Sequence, residues 1–360
     1  MPAQNKLLRY GIIGTGMMGC EHIRNLQAIA DCEVVAYADP HNSSRANAAK
    51  LLPDASAFTD YQQMLVAETL DVVVIATPNH THRNVLEDVL LSGVHVLVEK
   101  PLCISIQECQ EAIALEEKTR TPTRVVWVGL EYRYMAPTAR IIDECSNGSA
   151  GSIKMISIRE HRFPFLKKIG DWNRFSKNTG GTLVEKCCHF FDVMILLANS
   201  KPISVFASGG QDVNHLNESY DGSVPDILDN AYVIVEFANG IRGALDLSMF
   251  AEGSLNEQEI CVVGDEAKIE ALITESKIRI GKRNLGSSGV VEISVRQDES
   301  VVPGFHAGAS YVEHLAMQNA IRQNLPTGVS LEHALLSVAV GQAAHLSIAE
   351  RRRVDLAEIL

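Results

Sequence analysis

The sequence predicts two joined folds: an α/β domain with a parallel sheet, then an α+β domain with a large, mostly antiparallel open sheet. Three observations predict it. From Leu7 to about Arg124, short apolar runs alternate with helical patterns, the signature of right-handed βαβ units. Beyond that point, runs rich in Val, Ile and Phe follow one another through hairpin-like turns, Asn239-Gly240 and Gly264-Asp265 being the clearest. The length of 360 residues exceeds one ordinary core and suits two domains, cut at 1–124 and 125–360.

Taken in order, the first domain reads as strand 7–13, helix 17–30, strand 33–38, helices 43–52 and 60–68, strand 71–76, helix 81–92, strand 94–98 and helix 105–119. Ser43 and Asp60 stand where N-caps are expected, and Ser105 with Glu108 has the spacing of a capping box. Strand 124–128 and a helix near 137–145 lead into the second domain. Its strands are expected at 153–160, 203–208, 231–237, 241–249, 258–263, 267–273, 276–280 and 290–296. Helices 182–198 and 310–323 are expected over one face of that sheet, and a helix near 331–350 closes the chain. The opposite face has no helix assigned, so a subunit interface is its expected cover.

Composition narrows the function. A formal net charge of −12, with no basic helical face, would repel a phosphate backbone, so no nucleic-acid partner is expected. No apolar run approaches the length of a membrane span, and Met1 to Tyr10 shows no leader-like stretch, so a cytoplasmic protein without membrane contact is expected. Eight cysteines are scattered without framework spacing, which fits reduced thiols. No C-x-x-C occurs and no metal site is expected.

The sharpest motif is Gly14-Thr15-Gly16-Met17-Met18-Gly19, directly after an apolar strand and opening a helix. Glycines there permit a tight turn and close approach of backbone to a pyrophosphate, which the helix N-terminus attracts through its N–H groups and dipole. This context makes the first domain a Rossmann domain. Asp39 follows the second strand twenty residues beyond Gly19, where an acid accepts from adenosine ribose hydroxyls and repels a 2′-phosphate. NAD is therefore favoured over NADP; a turn-forming Asp before Pro40 is the other reading.

Three further segments carry a resemblance: Ala76-Thr77-Pro78-Asn79-His80-Thr81-His82, Glu99-Lys100-Pro101, and Gly180-Gly181-Thr182-Leu183-Val184-Glu185-Lys186-Cys187-Cys188-His189-Phe190-Phe191-Asp192. In this order and spacing the chain resembles the glucose-fructose oxidoreductase, inositol dehydrogenase and rhizopine catabolism (Gfo/Idh/MocA) family over essentially its whole length. The resemblance implies a nicotinamide cofactor, hydride transfer to or from a secondary alcohol of a sugar, polyol or related substrate, and homodimers or homotetramers formed through the second sheet. It implies Lys100 as the catalytic lysine and His189 as the catalytic histidine. It implies Thr77, Pro78, Asn79, His82 and Glu99 beside the cofactor. The position of Lys100 beyond the carboxyl end of a strand supports its role independently, since ligands of open α/β sheets gather there.

Glu185 replaces the aspartate usual four residues before that histidine. It either holds a substrate hydroxyl or closes a capping box with Thr182. Lys186-Cys187 stands where many relatives carry an apolar residue and glycine. Glu185, His189 and Asp192 fall on one face of an unbroken helix, with Asp192 expected to orient His189 or to be structural. Arg133, Asp192 and Tyr311 are candidates for substrate contact, with His306 a weaker one; Arg133 is equally a candidate for cofactor contact, and the resemblance implies Trp172 and Arg174 in a loop that reaches over the cofactor. The resemblance leaves two alternatives: cleavage of glycosides through transient oxidation on bound NAD, and a cofactor-binding regulator without turnover.

Overall fold

A computed structural model of the chain describes residues 6–296 and 304–360; the first five residues of the N-terminal stretch lie outside these. Two compact units result, one formed by 6–103, 107–130 and 304–335, the other by 104–106, 131–296 and 336–360.

The first unit holds six strands: β1 (Leu8–Ile13), β2 (Cys32–Ala38), β3 (Ser56–Phe58), β4 (Val72–Ile75), β5 (His95–Glu99) and β6 (Val126–Gly129). They pair in parallel in the order β3-β2-β1-β4-β5-β6. Both sheet faces are covered, so Val72 to Ile75 and Val96 to Val98 have no exposure at all. That is why these strands read as unbroken apolar runs rather than alternating ones. Helices α1 (Met17–Gln27), α2 (Asn42–Leu51), α3 (Tyr61–Ala67), α4 (His82–Ser92) and α5 (Ile106–Thr119) connect them. Asp60 caps α3 as expected, its carboxylate accepting from the Gln62 N–H at 2.9 Å. For α2, the cap is His41 rather than Ser43. The sheet order reverses between β1 and β4, and in such sheets ligands bind in the crevice at that reversal.

The second unit is built from helices α6 (Ala136–Ser146), α7 (Ser176–Thr179), α8 (Thr182–Glu185) and α9 (Cys188–Ala198) against nine strands. These are β7 (Ile153–His161), β8 (Pro202–Gly210), β9 (Asn230–Phe237), β10 (Arg242–Ser248), β11 (Gln258–Gly264), β12 (Ala267–Leu272), β13 (Lys277–Lys282), β14 (Val290–Ser294) and β15 (Val354–Asp355). Their order is β14-β13-β12-β11-β7-β10-β9-β8-β15, antiparallel except between β7 and β10. The period-2 pattern holds: Ala231, Val233 and Val235 are buried while Tyr232 and Ile234 are exposed. Phe206 on β8, opposite Ile234, is exposed with them, as is Met155 on β7.

Two helices differ from expectation. The segment read as 310–323 forms α10 (Ala309–Gln323), which belongs to the first unit and packs on α1 and β6 rather than on the second sheet. Buried polar contacts hold it there: the Trp127 indole N–H donates to Glu313 at 3.1 Å, and the His22 and His314 rings meet at 2.9 Å. The last helix, α11, spans Leu331–Glu350. The helix read as continuous over 182–198 is broken: α8 ends at Glu185, α9 starts at Cys188, and Lys186-Cys187 forms the joint.

Candidate active site

In the first unit the Gly-rich turn meets the requirements of a dinucleotide cradle glycine by glycine. Gly14 has φ +87°, and a Cβ there would lie 2.6 Å from the Ala76 carbonyl oxygen beyond β4, so only glycine fits where the two loops of the sheet reversal touch. At Gly19 a Cβ would lie 1.9 Å from the Gly14 oxygen, closing helix against turn. A Cβ on Gly16 would meet nothing within 4 Å, and this residue starts α1 without a side-chain cap. Space at the head of a helix is what an approaching pyrophosphate needs.

Beside this turn Asp39 is buried and accepts the Thr15 N–H at 2.8 Å and the His41 N–H at 2.8 Å. A carboxylate has about four acceptor positions, so capacity remains for ribose hydroxyls. Arg45, the nearest cation, is drawn onto the Asp39 and Pro40 carbonyls at 2.7 and 2.9 Å. After β4, the buried Asn79 Nδ2 finds no acceptor among the described residues, which suits a loop that faces a polar ligand. The residues present therefore fit a dinucleotide.

Lys100 follows β5, in a cis peptide with Pro101. Glu99 is buried behind it; its Oε2 accepts the Lys100 backbone N–H at 3.1 Å and its Oε1 lies 3.0 Å from His22 Nε2. Burial alone would raise this carboxyl, but the His22 hydrogen bond and charge hold it down at about 2. Glu99 is thus an anion, and His22 Nε2 carries the proton it accepts. Behind His22, burial keeps His314 well below its usual range, hence neutral. His82 is fully buried with Nδ1 on the Pro101 carbonyl at 2.8 Å and Nε2 on the Thr77 carbonyl at 3.0 Å. Desolvation lowers its pKa against the pull of those carbonyls. It ties the β4 and β5 loops together.

In the second unit, Gly181 (φ +84°) opens α8, and a Cβ on it would meet the His345 ring at 2.5 Å. His345 Nε2 accepts the Leu183 N–H at 3.2 Å, satisfying a donor of the first helical turn, and burial lowers its pKa to about 4. A depressed histidine leaves the unfolded chain binding more protons below pH ~6.5, so its stabilisation is complete above that pH and is lost as pH falls toward 4. The loss amounts to about 3 kcal/mol over the whole window. His345→Gln keeps an acceptor and cannot titrate; its melting temperature should fall less than that of the parent chain between pH 7 and 4.5, and parallel curves would refute the assignment.

His189, second residue of α9, is 1 % exposed. Its imidazole stacks on the Tyr132 ring, centroids 3.9 Å apart at 8°, and its Nε2 lies 3.8 Å from Glu131 Oε1. A carboxylate at that distance is placed to offset the charge that an imidazole acquires when it accepts a proton as a general base. Asp192 does not orient it; Asp192 forms a two-pronged pair with the Arg133 guanidinium, 2.5 Å to each oxygen. Thr182 is not an N-cap, since Gly181 holds that place and the Thr182 hydroxyl donates to the Leu228 carbonyl at 2.6 Å. The capping-box reading of Glu185 is therefore overturned. Glu185 itself is buried at the end of α8.

Comparison with known proteins accounts for both units. Residues 8–129 match the model of the oxidoreductase family's NAD-binding Rossmann fold, and residues 143–356 that of its C-terminal alpha/beta domain. The chain belongs to the Gfo/Idh/MocA family. Among its relatives, myo-inositol 2-dehydrogenase of Thermotoga maritima is 25% identical over 360 residues, covering 98% of this chain and all of the relative. Inositol 2-dehydrogenase of Corynebacterium glutamicum is 29% identical over 282 residues, 77% of this chain and 75% of the relative. A levoglucosan dehydrogenase solved with NADH and levoglucosan superposes with a TM-score of 0.83 at 19% identity, covering 97% and 99% of the two chains.

This Gfo/Idh/MocA oxidoreductase places its sequence-marked residues unevenly. The first unit gathers Gly14 to Gly19, Asp39, Thr77, Pro78, Asn79, Glu99 and Lys100 around the carboxyl ends of its strands, whereas Tyr311 lies buried in the first turn of α10. The second gathers Arg133, Glu185, His189 and Asp192. Arg174 is buried with its Nε on Glu218 at 3.1 Å, and Trp172 lies in the same short turn. The sequence reading gave no role to His22, Glu131, Tyr132, Glu160, His314 or His345. Of these only Glu131 and Tyr132 carried a signal, as polar residues directly after a strand. All eight cysteines are free thiols. No helix among the described residues is long and apolar enough to cross a membrane.

Proposed function

We propose that this oxidoreductase interconverts a secondary alcohol and a ketone on a polyol or sugar, with His189 as the general base and Lys100 as the cation that polarises the oxygen. NAD, when bound along Gly14 to Gly19, Asp39 and Asn79, supplies the hydride acceptor. His189 takes the hydroxyl proton, and the Glu131 carboxylate stabilises the resulting imidazolium. The Lys100 ammonium donates to the substrate oxygen as negative charge develops on it. Glu185 is assigned a neighbouring substrate hydroxyl. Arg133 and Asp192 hold each other and frame the base, a structural use rather than substrate contact.

The observation that carries this reading is the pairing of His189 with a buried carboxylate, an arrangement that suits an imidazole receiving a proton. The relatives named as inositol 2-dehydrogenases support the substrate class. The test is an NAD-reduction screen at 340 nm over inositols, aldoses, sugar acids and glycosides. Turnover should concentrate on cyclic polyols and aldoses. Release of aglycone from a glycoside without net NADH would refute the reading. Light scattering on the same preparation should show a dimer or larger, with a second copy over the exposed side chains of Phe206, Tyr232 and Ile234; a monomer would refute that part alone.

A further inference from the structure

Lys186 is an ammonium with 5 % side-chain exposure. Removing a charge from water is costly and needs close partners. Its partners come from two other elements: Glu160 Oε1 on β7 at 2.9 Å, and the hydroxyl of Tyr132, to which Nζ donates at 2.6 Å. Nζ also lies 4.9 Å from the Tyr132 ring centroid and 5.3 Å from that of Phe190, and Phe190 meets the edge of Tyr132 at 5.7 Å. Tyr132 is thus held at its hydroxyl by Lys186 and along its edge by Phe190, and its face carries the His189 imidazole. Lys186 and His189, three residues apart across the joint between α8 and α9, thus meet on one phenol.

We propose that Lys186 is a positioning residue for the general base: through the Tyr132 hydroxyl it fixes the ring on which His189 is stacked. This rests on the function proposed above, in which His189 is the base. An imidazole able to tilt or slide on its support loses alignment with the hydroxyl, and a misplacement of about 1 Å costs about 100-fold in rate. Lys186 is also a cation on the ring that carries the base: Glu160 pairs with Lys186 and with Arg162, Glu131 lies 3.8 Å from His189, and Arg133 pairs with Asp192, three residues beyond His189 on α9.

The test uses the full-length chain with its cofactor. Lys186→Met should lower kcat about 100-fold with NADH affinity within about twofold of the parent, and Lys186→Arg, which keeps a donor, should restore most of the rate. Removing a neighbouring cation makes an imidazole easier to protonate, so the acid limb of kcat/KM should move to higher pH in Lys186→Met and stay put in Lys186→Arg. Tyr132→Phe reads the same hydrogen bond from its other end and serves if Lys186→Met fails to fold. Where both fold, the double variant should be no slower than the slower single one, because both remove one interaction. By NMR, the ring-current shift of the His189 protons should diminish in Lys186→Met and Tyr132→Phe.

An unchanged kcat and pH profile in Lys186→Met, or additive losses in the double variant, would overturn the positioning role. If His189→Ala keeps turnover, the proposed function fails instead, and the two failures are told apart by that single control.

Discussion

Lys100→Met and His189→Ala are each expected to reduce kcat by about a thousandfold while NADH binds within a few-fold of the parent affinity. The magnitude is what a positioned general base or a preorganised cation contributes. Neither side chain lies in the Gly-rich turn that would hold the dinucleotide, so binding should persist. Methionine matches the length of the lysine stem and removes only the charge. His189 is packed under Tyr132, so alanine leaves a gap there; a thermal melt of the variant separates lost chemistry from lost fold. Single-turnover rates with a substrate from the screen check both variants, and near-parental rates in either would remove that residue from the mechanism.

The second large effect separates two glycines three residues apart. Gly16 has open space where a side chain would go and a φ of −68°, ordinary for any residue. Gly16→Val should therefore fold, with a melting temperature lowered by no more than about 4 °C. Its NADH affinity should fall about 100-fold, equivalent to about 3 kcal/mol, because the side chain occupies the space a pyrophosphate needs. Gly19→Val fails for another reason: its Cβ would stand 1.9 Å from the Gly14 carbonyl oxygen, so strand, turn and helix must separate. This variant should lose stability first and affinity as a consequence. Titration calorimetry alongside thermal melts distinguishes them, and a Gly16→Val chain that binds NADH normally would remove the turn from the cofactor site.

Much of the first unit was legible because its signals are local. Apolar runs 72–75 and 96–98 are continuous because both faces are buried. The short strand at Ser56–Phe58 leaves no mark because three residues at a sheet edge, two of them exposed, carry no periodicity. In the second unit, runs rich in Val, Ile and Phe marked the strands β7 to β14, while β15, two residues long, carries no such run. These runs could not show that α10 leaves that unit, since the contacts of His314 and Glu313 with His22 and Trp127 join residues about 190 to 290 apart in sequence.

By itself the sequence determined the two fold classes, the Gly-rich turn with its acid at Asp39, and the identity of Lys100 and His189 as the reactive candidates. Each depends on residue type and short spacing, which the chain carries wherever it folds. Tertiary structure alone decided which charges pair: Arg133 with Asp192, His22 with Glu99, Lys186 with Glu160, and Glu131 rather than Asp192 beside His189. Charge pairing in a protein interior is set by which elements pack together and exclude water, and packing joins residues whose separation along the chain holds no record of it.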